Sequence, residues 1–234
     1  MLKKLIAEFI GTCVLVMLGC GTAMLVGCDA KSGGGYILTA LAFGLVIVAM
    51  AYSIGNISGC HINPAVSFGV LVSGGMGIGE FCGYVIAQCL GAFAGSGILA
   101  YIFTASGIED KTGAFGANGL AGVNGSFGAG FLVEFILTFI FVITILGVTS
   151  KKANHGSFGG LVIGLSLTLV HIFGIGLTGT SVNPARSIAP AVVAAISGNS
   201  EPLSSLIIFI LAPMLGAALA ALVYKNLELS KNAE

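Results

Sequence analysis

The sequence predicts an all-α membrane protein: six transmembrane helices plus two re-entrant half-helices in an inverted repeat. Three observations predict it. Charged residues make up 8% of the 234 residues and hydrophobic ones 56%, with a mean hydropathy of +1.08. A soluble domain is about one quarter charged, so charges this sparse leave most of the surface to face lipid. The apolar runs come in lengths near the ~20 residues that a membrane helix needs. Finally, Asn63-Pro64-Ala65 and Asn183-Pro184-Ala185 recur 120 positions apart, each in a stretch of about fifty residues nearly or wholly free of charge.

The first span is Leu5 to Val26, in which Glu8 is the only charge. A cleaved signal peptide is the rival reading, but the run is too long for the hydrophobic region of one. After a polar loop with Asp29 and Lys31, a second span covers Tyr36 to Ile57. No charge appears from there until Glu80, yet Ser58 to Gly77 contains Pro64 and several glycines and cannot be a full helix. The third span is Glu80 to Phe103, followed by a Gly-rich loop, 105–127, with Glu109, Asp110 and Lys111. The fourth is Gly128 to Thr149, with Glu134 inside it. Lys151, Lys152, Asn154 and His155 form a short polar loop, with His155 a solvated residue, before a fifth span, Phe158 to Leu177. Thr178 to Gly198 is again too broken for a full helix, and Arg186 is its only charge. A sixth span, Leu203 to Leu222, ends in a charged tail.

The two halves match at several positions. Glu8-Phe-Ile-x-Thr12 corresponds to Glu134-Phe-Ile-x-Thr138, Gly44-Leu45 to Gly164-Leu165, and Gln88-Cys-Leu-Gly91 to Pro213-Met-Leu-Gly216. The chain therefore divides into repeat one, about 1–104, the loop, about 105–127, and repeat two, about 128–225, within one channel-like domain. Three spans per repeat is odd, so the second copy enters the membrane upside down. Inverted repeats place their site at the repeat interface near the bilayer midplane. With six spans both termini share one side. That side holds Lys3, Lys4, Lys151, Lys152, Lys225 and Lys231 against Lys31 and Lys111 opposite, a bias that puts both termini in the cytoplasm.

Asn is a good helix N-cap and Pro suits the first helical position. Pro64 to Ser73 and Pro184 to Ile196 thus read as half-helices that start at Asn63 and Asn183. Ten residues at ~1.5 Å each cover about half of a ~30 Å hydrocarbon core, so the two enter from opposite faces and meet Asn to Asn. The strands leading in, Gly59-Cys60-His61 and Gly179-Thr180-Ser181, are not helical. Irregular backbone at that depth must line a wet cavity or be buried in protein. The expectation is a polar pathway with carbonyls on its walls and two Asn amides at its centre. Arg186, with no carboxylate near it in sequence, reads as pore-lining, because a buried unpaired Arg is costly unless it is wet.

On these residues the chain resembles the aquaporin (major intrinsic protein) family, nearest its bacterial water channels of the aquaporin Z type. The resemblance covers both Asn-Pro-Ala loops, the repeated Glu, the Arg after the second motif and all six spans. It implies a selectivity filter of Phe43, His171, Thr180 and Arg186, and a role for Glu8 and Glu134 in bracing the re-entrant loops. It also implies a homotetramer in the cell membrane. Glycerol facilitators of the family usually carry Trp and Phe at the filter, Gly in place of the His and Asp after the Arg. This chain has no Trp, and Ser187 follows Arg186; Ala191 also fits the water channels. Phe209-Ile210, where water channels tend to show Phe-Trp, departs from the pattern and keeps small neutral solutes in play. Cys60 stands where the family more often has Gly or Ala, and its thiol predicts inhibition by mercurials.

The function expected is passive, osmotically driven passage of water, with a glycerol or small-solute facilitator as the alternative. An inverted-repeat secondary transporter would need coupling carboxylates, for which only the symmetric Glu8 and Glu134 stand. No acid–base pair, nucleophile elbow or ligand cluster points to an enzyme, a metal or a cofactor. The neutral net charge, without a basic tail, gives nucleic acid nothing to bind. The six cysteines show no metal-ligand spacing.

Overall fold

The computed structural model of the chain describes residues 1–28, 33–150, 152 and 156–230. The sequence readings at Asp29, Lys31, Lys151, Asn154, His155 and Lys231 lie outside the described residues. The described chain forms nine α-helices: α1 Leu2–Val26, α2 Gly34–Ser58, α3 Pro64–Ser73, α4 Ile78–Ser106, α5 Phe127–Thr149, α6 Gly159–Thr178, α7 Pro184–Ile196, α8 Glu201–Ser204 and α9 Leu206–Ser230. Six of them (α1, α2, α4, α5, α6 and α9) are long and apolar enough to cross a membrane. The two half-helices run from Pro64 to Ser73 and from Pro184 to Ile196, as the Asn caps predict. The last span differs from the sequence reading. Residues 201–204 form a separate short helix, and α9 starts at Leu206 and continues past Leu222 to Ser230, because nothing in Tyr224 to Ser230 breaks a helix.

Packing repeats the duplication. α1 lies on α4 as α5 lies on α9, and α2 crosses α6 between the repeats. Each half-helix packs on the third span of the other repeat, α3 on α9 and α7 on α4. Glycines make these crossings close. A Cβ at Gly91 would lie 2.2 Å from the Phe9 carbonyl oxygen, and one at the matching Gly216 would lie 2.3 Å from that of Phe135. At the α2–α6 crossing, a Cβ at Gly44 would meet the Gly164 carbonyl at 2.5 Å, and one at Gly164 would meet the Gly44 carbonyl at 2.6 Å. Small residues replace the missing hydrophobic drive between membrane helices by letting backbones touch. The outer faces carry exposed Leu45, Ile86, Leu132 and Leu169, an apolar surface that water would not tolerate but lipid does.

Candidate functional site: a narrow pore between the two half-helices

The two loops that lead to the half-helices are backbone copies. Gly59, Cys60 and Ile62 have φ of 86°, 52° and 41°; Gly179, Thr180 and Val182 have 74°, 44° and 47°. Positive φ is an outlier for β-branched Ile, Val and Thr, and such strain costs roughly 1–3 kcal/mol per residue unless the surroundings hold it. Two buried carboxylates hold it. Glu8 Oε1 accepts from Ser58 Oγ at 2.6 Å and from the His61 amide at 2.9 Å; Oε2 accepts from the Ile62 amide at 2.6 Å and from Gln88 Nε2 at 2.8 Å. Glu134 does the same one repeat later, accepting from Thr178 Oγ1 at 2.6 Å, the Ser181 amide at 2.9 Å and the Val182 amide at 2.8 Å. Both carboxylates are wholly buried. A carboxylate has about four acceptor sites, so Glu8 is saturated.

With the loop amides turned to the carboxylates, the carbonyls of Cys60, His61, Thr180 and Ser181 receive no donor from the described residues. The two Asn caps then tie the loops to each other. Asn63 Nδ2 donates to the Val182 carbonyl at 2.7 Å, and Asn183 Nδ2 donates to the Ile62 carbonyl at 2.9 Å. Their Oδ1 atoms cap their own half-helices, Asn63 at the Ala65 amide and Asn183 at the Arg186 amide. Each amide group has two N–H donors, so one per Asn is left over beside the cavity that both line. Pro64, Ala65, Pro184 and Ala185 are buried at the meeting point, where both helix dipoles present their positive ends.

That cavity is lined by Phe43, Ile47, His61, Asn63, Phe141, Leu167, His171, Ser181, Asn183 and Arg186, among others. The cavity volume is about 10 Å³, about the least that holds a single water. Phe43 stacks on His171 with ring centroids 4.4 Å apart, and the Arg186 guanidinium lies 5.1 Å from the centre of the Phe43 ring. His171 Nδ1 is 2.9 Å from the Leu167 carbonyl. A carbonyl only accepts, so in the neutral ring Nδ1 carries the hydrogen and Nε2 keeps a lone pair. His171 Nε2 and Arg186 Nε are buried and have no protein partner among the described residues. Thr180 sits differently from Phe43, His171 and Arg186. Its side chain is fully buried against Gly174 of α6, and the wall of the narrow part is made by the adjacent Ser181. Cys60 packs against the apolar core beside Gly55 of α2 and is not among the residues that line the narrow cavity.

Outside the constriction lies a vestibule of about 270 Å³ whose walls include Cys28, Thr39, Lys111, Gly116, Gly179 and Arg186. Sequence reasoning missed this contribution of the 105–127 loop. Asp110 accepts from the Thr112 amide and hydroxyl and from the Phe115 amide, and Thr112 Oγ1 accepts from the Gly116 amide. The turn so fixed presents the Gly116 carbonyl to Arg186 Nη1 at 3.0 Å, and Asn118 Oδ1 accepts from the same nitrogen at 2.7 Å. Gln88, Ser67 and Tyr84 were also missed as site residues. Ser67 Oγ bonds His61 Nδ1 at 3.1 Å and accepts from Gln88 at 2.9 Å, and Tyr84 Oη donates to the Ser58 carbonyl at 2.6 Å. The signals available were an Asn in a Gly-rich loop for Asn118, and for Gln88 a polar residue inside an apolar span at a repeat position.

The family model for MIP, the major intrinsic proteins, matches residues 1–224. The chain belongs to the major intrinsic protein family. Curated relatives named Aquaporin Z agree across nearly the whole length. That of Brucella melitensis is 43% identical over 97% of this chain and 98% of its own, and that of Rhodopseudomonas palustris is 39% identical over 96% and 93%. Among solved structures, the aquaglyceroporin from Plasmodium falciparum superposes with a TM-score of 0.86 at 25% identity, covering 96% of this chain and 95% of that one. An ion channel of the FNT family, 14% identical with a TM-score of 0.59 over 99% and 88%, shares the fold alone. A major intrinsic protein fold accounts for the paired half-helices, the crossed glycines and the two bracing carboxylates together.

Proposed function

We propose that the chain is a passive water channel, driven by osmotic gradients, that excludes protons and ions. The observation that carries this reading is a cavity with room for about one water, lined by Phe43, His171 and Arg186 together with Asn63 and Asn183. Phe43 and His171 set the width, His171 Nε2 offers an acceptor, and Arg186 supplies donors and a positive charge. Unpaired loop carbonyls continue the row of acceptors to the centre. There the leftover N–H of each Asn donates to a passing water, which then cannot accept a proton along a hydrogen-bonded file. The half-helix dipoles and the Arg oppose cations at the same place. The Aquaporin Z relatives support water as the permeant, and so small a cavity disfavours glycerol.

The same reading assigns Phe43, His171, Thr180 and Arg186 to the selectivity filter, with Thr180 contributing through its loop backbone. It makes the two repeats halves of one transport domain without a cofactor. It also places the chain in the cell membrane as a homotetramer, one pore per subunit, with both termini cytoplasmic. Stopped-flow light scattering on proteoliposomes tests it. Osmotic shrinkage should be much faster than in empty liposomes, glycerol entry slow, and neither should respond to proton or sodium gradients. Shrinkage no faster than in empty liposomes, or uptake against a gradient, defeats the proposal. Chemical cross-linking in the same liposomes, read as a ladder ending at four subunits, tests the assembly.

A further inference from the structure

We infer that Asn118 is a specificity-determining residue, whose neutral amide fixes the Arg186 guanidinium without cancelling its charge. This rests on the water-channel reading and deepens it. Asn118 is 2% exposed and every polar atom of its side chain is engaged. Oδ1 accepts from Arg186 Nη1 and from Ser187 Oγ, both at 2.7 Å, while Nδ2 donates to the Thr178 carbonyl at 3.2 Å. The next residue adds its own amide, Gly119, to the same Thr178 carbonyl at 3.3 Å. One side chain thus joins the outer loop to the end of α6, to the second half-helix and to the filter Arg.

The choice of a neutral acceptor has a consequence for the field in the pore. The other protein partner of the guanidinium, the Gly116 carbonyl, is neutral too. The nearby carboxylates are spent elsewhere. Asp110 is taken by Thr112 and Phe115, and Glu134 by Thr178, Ser181 and Val182. Among the described residues Arg186 has no ion pair. No described carboxylate touches the guanidinium, so its positive charge faces the lumen without a counter-ion in contact. Aspartate at 118 would keep the two bonds that Oδ1 accepts and strengthen them, since charge-assisted bonds are about twice as strong as neutral ones, while giving up the donation to the Thr178 carbonyl, which keeps the Gly119 amide. It would also set a negative charge in contact with the guanidinium, and the field of such a close pair falls off steeply. An anchoring role alone and a specificity role thus predict opposite outcomes for N118D.

The experiment reads proton flux, by an entrapped pH dye under a potassium–valinomycin potential, and glycerol and water permeability in one set of proteoliposomes. N118D should raise the proton-to-water flux ratio about tenfold. N118A keeps the charge but loosens it, and should hold the wild-type proton ratio while raising the glycerol-to-water ratio about threefold. A conducting N118D with the wild-type proton ratio overturns the inference. If N118D does not assemble, N118A decides alone, and an unchanged glycerol ratio overturns it. Wild-type protein no faster than empty liposomes would instead defeat the channel reading itself.

Discussion

The two re-entrant loops share a backbone and differ in what surrounds it. Residues 59–63 and 179–183 have the same pattern of positive φ, the same Asn cap and the same carboxylate clamp at Glu8 and Glu134. The first clamp is closed from inside its own repeat. Gln88 from α4 fills the last acceptor site of Glu8 and reaches on to Ser67, and Tyr84 caps the Ser58 carbonyl. In the second repeat the matching residues are Pro213 and Phe209, which can do neither. The Thr178 carbonyl is capped instead by Asn118 and Gly119 of the outer loop, and Ser187 bonds Asn118 where Ser67 bonds Gln88. Duplication therefore supplied the frame, and divergence supplied the polarity of the pore. Arg186 occupies the position that Val66 holds in the first copy, and the outer loop was recruited to hold it.

The largest expected difference between the copies is in the clamps. Replacing Glu8 with Gln puts an N–H donor against at least one loop amide and disturbs the Gln88–Ser67 bonds as well. In Glu134→Gln the amide can turn so that only the Val182 N–H loses its partner. At ~1–3 kcal/mol for each buried group left unpaired, E8Q should destabilise by about 3 kcal/mol and E134Q by about 2. Melting in detergent with a thiol-reactive dye reads this, since Cys20 is fully buried until the fold opens. Equal losses, or the larger loss at Glu134, would break the comparison.

Next in size is the divergence at Arg186 itself. Arg186→Val installs the residue of the first copy, leaves the Gly116 carbonyl without its donor and leaves Asn118 Oδ1 with Ser187 alone. Proton flux relative to water should rise about tenfold, the factor that ~1.4 kcal/mol of lost repulsion gives, and glycerol entry should rise with it. Proton tightness equal to wild type would shift the whole barrier to the Asn63–Asn183 level.

A third test concerns thiols. The sequence points to Cys60, the counterpart of Thr180, as the mercurial target. The structure instead sets Cys60 on the core beside Gly55 and puts Cys28 in the wall of the Arg186 vestibule, 3.5 Å from Thr39 Oγ1. A bulky adduct at Cys28 should lower water permeability several-fold. Cys28→Ser should abolish most of that block and Cys60→Ser little of it. Full mercurial sensitivity surviving in C28S would return the assignment to Cys60.

How much of this was legible depended on the reach of each residue. The spans and half-helices follow from local signals, namely charge-free length and an Asn-Pro start, so α3 and α7 came out to the residue. The duplication marked Glu8 and Glu134 as equivalent positions, and the family resemblance supplied their bracing role. The start of the last span was not legible, because Pro202 and Ser204 to Leu206 are compatible with either a continuous or a broken helix. Asn118 was hidden for another reason. Its partners are 60 to 69 positions away, its loop has no copy in the other repeat, and an Asn among glycines is locally no more than a turn residue. Gln88 carried a repeat signal of its own, but its match is Pro213, and a polar side chain paired with a proline gave no hint of a shared role.

That mismatch sets up the smallest test. Tyr84→Phe makes the first repeat resemble the second, where Phe209 packs with Leu120, Ile208 and Ala212. In the second repeat the Thr178 carbonyl is relieved by Asn118 and Gly119, but no described residue of the first repeat stands ready to replace Tyr84 at the Ser58 carbonyl. Y84F should therefore cost about 0.5 to 1 kcal/mol, the value of one hydrogen bond to a carbonyl that a water can partly replace. The edge contact with His61, 5.2 Å between ring centres, survives the change, so the lumen wall should stay in place and water permeability should fall by less than about twofold. A melt indistinguishable from wild type would mean that the first loop is held by its carboxylate alone. A collapse of conduction would mean that Tyr84 steers His61 through its hydroxyl, and the two loops would then differ in mechanism as well as in their anchors.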